Sequence, residues 1–234
     1  MSALKLDGLV AQLTKAWGDD LVAVVLFGSA AGGDAAKDSD QNVMVVVREF
    51  RPAGVIAAGA VARAWADAGQ PPPLTMTLGE WRGSSDIFAI EYADVLERHR
   101  VLAGALPVEG VTVDREHLRL QLEREAMGKL LRLRQGMLVT SGDAKRTIAL
   151  MVESIGTIMV LLRGVLHLSG EVAPPTHDAV ARAAAAKVGF DVSPLLSILA
   201  HRKGDAKMEA VRSAEIVRAY HGCVERVATW VDGA

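Results

Sequence analysis

The chain has 234 residues, half of them apolar and 23% charged, with a formal net charge of -2. This excludes general disorder and supplies enough apolar material for a core. Aromatic residues at 4% and a near-neutral balance argue against a protein that stacks single-stranded bases or tracks phosphate backbones, so nucleic acid is disfavoured as a partner.

Residues 3 to 17 suit an amphipathic helix carrying Lys5, Asp7 and Lys15, with no signal-peptide pattern. Leu21 to Phe27 is a short Val-rich run between Asp-Asp and Gly, as expected of a buried strand, and Val43 to Val47 reads as a second. Residues 53 to 68 are Ala-rich and helical until Gln70-Pro-Pro-Pro73 breaks them, and Leu74 to Leu78 fits a third strand. Residues 86 to 104 read as a helix with a short apolar ending, Val101 to Gly104. From about residue 114 the period becomes helical throughout, over 114 to 138, 143 to 168, 176 to 188, 193 to 202 and 206 to 231. Asp114 and Asp143 are the expected N-caps, and Gly142, Gly170, Gly189 and Gly204 the expected stops. The leucines of 114 to 138 are expected to pack inward.

This gives an α/β (α+β) domain with a mixed sheet, residues 1–110, followed by an all-α helical bundle, residues 111–234. Charge divides there too. Residues 1 to 110 hold 9 Lys+Arg and 14 Asp+Glu, net -5, and the remainder hold 17 and 14, net +3. The apolar stretch Ile155 to Leu162 is closed by Arg163 and is far short of the ~20 residues a bilayer span needs, so no membrane is expected. Cys223 is the lone cysteine, which excludes an intramolecular disulfide and a thiolate zinc cluster. The reading is a soluble, reduced, cytoplasmic protein.

Chemistry concentrates in LFGSAAGGDAAKDSDQNVMVVV, residues 26 to 47. Glycine lets the backbone approach a ligand closely, and a Ser hydroxyl with free N–H groups at a turn can bind a phosphate. Gly28 and Ser29 follow one strand, and Ser39-Asp40 opens the next. On these residues the chain resembles the nucleotidyltransferase superfamily, the fold of polymerase beta, of aminoglycoside nucleotidyltransferases and of the minimal nucleotidyltransferases. Gly28, Ser29, Gly33, Asp34, Ser39 and Asp40 fall on the superfamily pattern. More loosely, the whole chain resembles bacterial proteins that join such a domain to a C-terminal helical bundle, through DIFAIEYADVLERHRVLAG and LERE..GKLLRLRQG.

The resemblance implies a nucleoside triphosphate partner, Mg²⁺, and attack of an acceptor on the α-phosphate. It assigns Gly28, Ser29 and Asn42 to nucleotide binding and Asp40 to catalysis and metal binding. Asn42, however, stands where the pattern has its second carboxylate. No acid lies on Leu74 to Leu78, where the third belongs; Glu80, Asp86 and Glu91 lie beyond it. Asp38 and Asp40 offer a shifted i, i+2 pair as an alternative metal set. The expectation is a nucleotide-binding protein with a degenerate metal site and weak or absent transferase activity. The alternatives are an active metal-dependent nucleotidyltransferase with an unknown acceptor, and an interaction or dimerisation module, including a homodimer. Arg163 and His167, at i and i+4, are expected to be a helix-packing pair rather than a ribonuclease site. Lys129, Arg132 and Arg134 lie on one helix, either as a solvated face or reaching toward a triphosphate.

Overall fold

The structure is a computed structural model that describes residues 4–31 and 41–234, with Ser29 described by its backbone. The chain forms two compact units, Met1–Val113 and Asp114–Ala234.

In the first unit, α1 (Leu6–Trp17) leads into β1 (Leu21–Phe27), and β2 is Asn42–Val47. Helix α2 (Pro52–Asp67) begins with proline, whose fixed φ suits a first helical turn. Then come β3 (Leu74–Thr77), α3 (Leu78–Gly83), α4 (Ala89–Glu97) and β4 (His99–Gly104). The sheet order is β3-β2-β1-β4, with β1 antiparallel to both neighbours and β2 parallel to β3. The sheet is therefore mixed.

Both faces of the central strands are buried, which explains why β1 and β2 read as continuous apolar runs. Val24, Leu26, Val43, Val45 and Val47 pack against Leu9, Leu13 and Trp17 of α1 and Val61 and Trp65 of α2. Ala23, Val25, Met44 and Val46 form a second cluster with Trp81, Tyr92 and Val95. Trp81 and Tyr92 stack with ring centroids 4.6 Å apart, and the Tyr92 hydroxyl donates to the Trp81 carbonyl at 2.8 Å. Burial pushes the Tyr92 phenol up to about 12, with the Asp86 charge adding to the shift. The segment after β4 belongs to this unit: Leu106 and Val111 join the second cluster, and Trp81 Nε1 donates to the Pro107 carbonyl at 2.8 Å.

Strand β4 (His99–Gly104) departs from the sequence reading, which gave no strand here and took Val101 to Gly104 as a short apolar ending after a helix. It pairs with β1 from Phe27↔His99 to Ala23↔Gly104. Its Arg100 and Val101 are exposed, so it lacks the buried run that marked the other strands. Leu78, expected to end the third strand, instead begins α3.

The second unit is helical: α5 (Arg115–Thr140), α6 (Ala144–Leu168), α7 (His177–Val188), α8 (Ser193–Lys203) and α9 (Ser213–Asp232). Asp114 caps α5 by accepting from the N–H groups of Glu116 and His117, and Asp143 caps α6 by accepting from Arg146. Gly189 and Gly204 end α7 and α8 in the left-handed conformation. Helices α5 and α6 pack antiparallel through reciprocal glycines. A Cβ on Gly136 would collide with Leu150, and one on Gly164 with Leu122.

Helix α6 is long and apolar enough to cross a membrane by length and composition, although its longest uninterrupted apolar stretch is short. Half of its apolar window is buried inside the protein, where α6 meets α5, α7, α8 and α9. It is the core helix of the bundle. Arg163 is buried on it, with His167 half-buried one turn on. Cys223 is buried and donates to the Asp191 carbonyl at 3.3 Å; burial pushes its thiol up to about 11. The leucines of α5 divide. Leu118, Leu122, Leu130 and Leu133 are buried, whereas Leu120, Leu131 and Leu138 are exposed, so only part of that stripe packs inward.

At Gly104 (φ +68°) a Cβ would strike the backbone carbonyl of Val22 on β1. Gly104→Ala should therefore cost more than ~2 kcal/mol, combining left-handed strain with a backbone clash. Urea unfolding measures this, and an unchanged midpoint would show that β4 does not hold to β1 there.

Candidate nucleotide site

The site is built where β1 ends. Gly28 turns the chain out of the strand with φ +73°, a conformation L-residues rarely adopt, into a 3-10 turn over Gly28–Ala31. The register sets Phe27 opposite Asn42 on β2 and opposite His99 on β4. A Cβ on Gly28 would stand 3.1 Å from Asn42 Nδ2. Gly28 and Asn42 therefore meet at one end of the sheet, and the glycine leaves room for the amide. The Ser29 backbone lies in the same turn. Asp38 and Asp40, with Gly33, Asp34 and Ser39, lie outside the described residues.

Side chains alternate along a strand, so Asn42, Met44 and Val46 share one face of β2. Met44 and Val46 place that face in the Trp81–Tyr92 cluster. On β3 the register sets Leu74 beside Met44 and Met76 beside Val46. The β3 positions that share the Asn42 face are therefore apolar.

The acids beyond β3 have other surroundings. Thr77 and Glu80 form a capping box at the start of α3: the Glu80 carboxylate accepts from the Thr77 N–H at 2.6 Å, and the Thr77 hydroxyl accepts from the Glu80 N–H at 3.2 Å. The hydrogen bond from the Thr77 backbone holds the Glu80 carboxyl below its usual range. Thr-x-x-Glu is a recognised helix-start signature, so this role was legible in the sequence. Glu91 lies in the first turn of α4, and Asp86 is an exposed residue ahead of that helix. Among the described residues no group of three or more His, Cys, Asp or Glu side chains could hold a metal ion. Asn42 offers one neutral amide oxygen, a poor match by itself to Mg²⁺, which prefers carboxylate oxygens.

Two contacts were not foreseen. The Gln41 N–H donates to Gln70 Oε1 at 2.7 Å, so the segment leading into β3 ties down the entry to β2. His99 and Arg100 open β4 beside the end of β1, bringing a half-buried imidazole and an exposed guanidinium to this edge. His99 Nδ1 lies 2.7 Å from the Val95 carbonyl, so the ring is anchored to α4. Neither contact has a local signal, because each joins segments far apart in the chain.

In the bundle, Lys129 pairs with Glu125 at 2.9 Å along α5. Arg134 donates to His221 Nε2 at 3.0 Å and pairs with Glu225 at 2.7 Å, joining α5 to α9. Arg132 is exposed.

No family model matches the chain, and no curated protein matches it. Among solved structures the chain is similar to spectinomycin adenyltransferase AAD(9) from Enterococcus faecialis, a crystal structure with ATP and spectinomycin. The TM-score is 0.61 at 12% identity, and the likeness covers 94% of this chain and 96% of that one. At this identity the likeness shows the fold.

If Glu80 serves only as a cap, Glu80→Ala should lower stability by about 0.5–1 kcal/mol and leave nucleotide affinity unchanged. Gly28→Ala should lower stability as well, through left-handed strain at φ +73°, and if the turn receives a nucleotide it should also weaken that binding at least ~10-fold by crowding Asn42. Thermal melts and nucleotide titrations of both variants check the pair. The fold is a nucleotidyltransferase-type mixed-sheet domain followed by a helical bundle.

Proposed function

We propose that the chain is a nucleotide-binding protein of the nucleotidyltransferase type, with a weakened metal site and little or no transferase activity. The observation that carries this reading is the closeness of Gly28 to Asn42. It supports placing the amide at the strand end where the superfamily pattern has its second carboxylate. The solved neighbour, which is an adenyltransferase with ATP bound, supports a nucleoside triphosphate as the partner.

In this reading the Gly28–Ser29 turn receives the triphosphate, and Asp40, with Asp38 as a further candidate, supplies the negative charge for Mg²⁺. Asn42 adds an oxygen but no charge. The apolar Leu74 and Met76 supply no base on β3 to take a proton from an acceptor. A unit charge ~4 Å from a cation is worth about 4 kcal/mol at an effective dielectric of ~20. Losing one carboxylate therefore lowers metal affinity by orders of magnitude while leaving the shape of the site intact. The lone buried cysteine agrees with a reducing, cytoplasmic setting.

Asn42→Asp should strengthen Mn²⁺ or Mg²⁺ binding, measured with a non-hydrolysable triphosphate, by at least ~100-fold. Turnover should not appear, because the base is still missing. If wild-type protein already binds metal–nucleotide tightly and Asn42→Asp changes nothing, Asn42 does not face the metal. If wild type turns over with an added acceptor and Asp40→Ala abolishes the reaction, the protein is an active transferase instead.

A further inference from the structure

Helix α5 carries apolar residues on two faces. Opposite its buried leucines, Leu120, Met127, Leu131 and Leu138 are 48%, 49%, 48% and 80% exposed. At 3.6 residues per turn these four fall within about 20° of one line along the helix. Their spacing is 7, 4 and 7 residues, which reads the same in both directions about a centre at position 129.

From this symmetry we propose that the protein forms a homodimer through antiparallel pairing of α5 with the α5 of a second copy, about a two-fold axis that crosses the exposed stripe at the level of residue 129, between Met127 and Leu131. The proposal concerns the bundle alone and does not depend on nucleotide binding.

Under that axis Leu120 meets Leu138 of the second copy, and Met127 meets its Leu131. A two-fold interface must be self-complementary in this way. Charge agrees. Glu123 and Arg134 lie on the same flank of the stripe, at nearly equal distances on either side of the centre, so each faces its opposite in the second copy. Glu123 is paired with Arg119 and Arg134 with Glu225 within one chain, and both remain partly exposed. An open groove of about 540 Å³ between α5 and α9, lined in part by Leu120, Glu123, Met127 and Arg134, gives that flank depth for the second copy's side chains.

The apolar seam is ~27 Å long on helices ~10 Å across, which is small for a specific interface, so the dimer is expected to be reversible. Sedimentation equilibrium of the full chain over a concentration series tests it. Wild type should show a monomer–dimer equilibrium, and Leu131→Glu should weaken it at least ~100-fold by burying a carboxylate, with unchanged circular dichroism. Orientation is tested with single cysteines, Cys223 being buried. A short bis-maleimide linker should join Leu131→Cys protomers but not Leu138→Cys protomers, whose thiols would lie ~27 Å apart in the antiparallel arrangement. A wild-type protein monomeric at every concentration overturns the proposal. So does a dimer indifferent to Leu131→Glu, or efficient linking through Leu138→Cys.

Discussion

The first unit depends on the antiparallel pairing of β1 with β2. Because side chains alternate, one register decides which residues enter which core. It sends Val24, Leu26, Val43, Val45 and Val47 to α1 and α2, and Ala23, Val25, Met44 and Val46 to Trp81 and Tyr92. A slip of one residue would exchange the two sets and carry Asn42 to the opposite face. The apolar core thus also holds the polar end of the ladder in place, with Gly28 against Asn42.

At that end, geometry and charge make separate demands. The geometry consists of a left-handed glycine, a tight turn and an amide beside it. On the charge side, Asn42 is neutral, and the β3 positions on its face are Leu74 and Met76. Shape can hold a phosphate through backbone N–H groups, which need no carboxylate. Bringing a divalent cation to the same place does need them. Under the proposed reading, a site of this shape binds a nucleotide better than it reacts.

In the second unit, α6 is the element on which the others pack, and its apolar length reflects burial on several sides. Reciprocal glycines let α5 approach it closely. Helix α5 then spends one apolar face on the bundle and keeps a second exposed. Apolar residues facing both ways along one helix give no single amphipathic direction, and this is why a periodic run of leucines could not show which of them would be inside.

The sequence by itself determined the elements whose signals are local. Leu21–Phe27 reads as a strand because seven apolar residues lie between Asp-Asp and Gly, and α5 and α6 begin where Asp114 and Asp143 can accept from free N–H groups. Through the resemblance it also marked Gly28 and Asn42 as candidate positions. Only the tertiary structure decided what depends on segments distant in the chain. Strand β4 exists because β1 offers it a free edge more than 70 residues away, a pairing that half-exposed residues opening with His99 and Arg100 do not announce. The Gln70 tie to Gln41, the apolar partners of the Asn42 face and the division of the α5 leucines all follow from register and packing. Local propensity carries no information about either, because each is fixed by the partner and not by the segment itself.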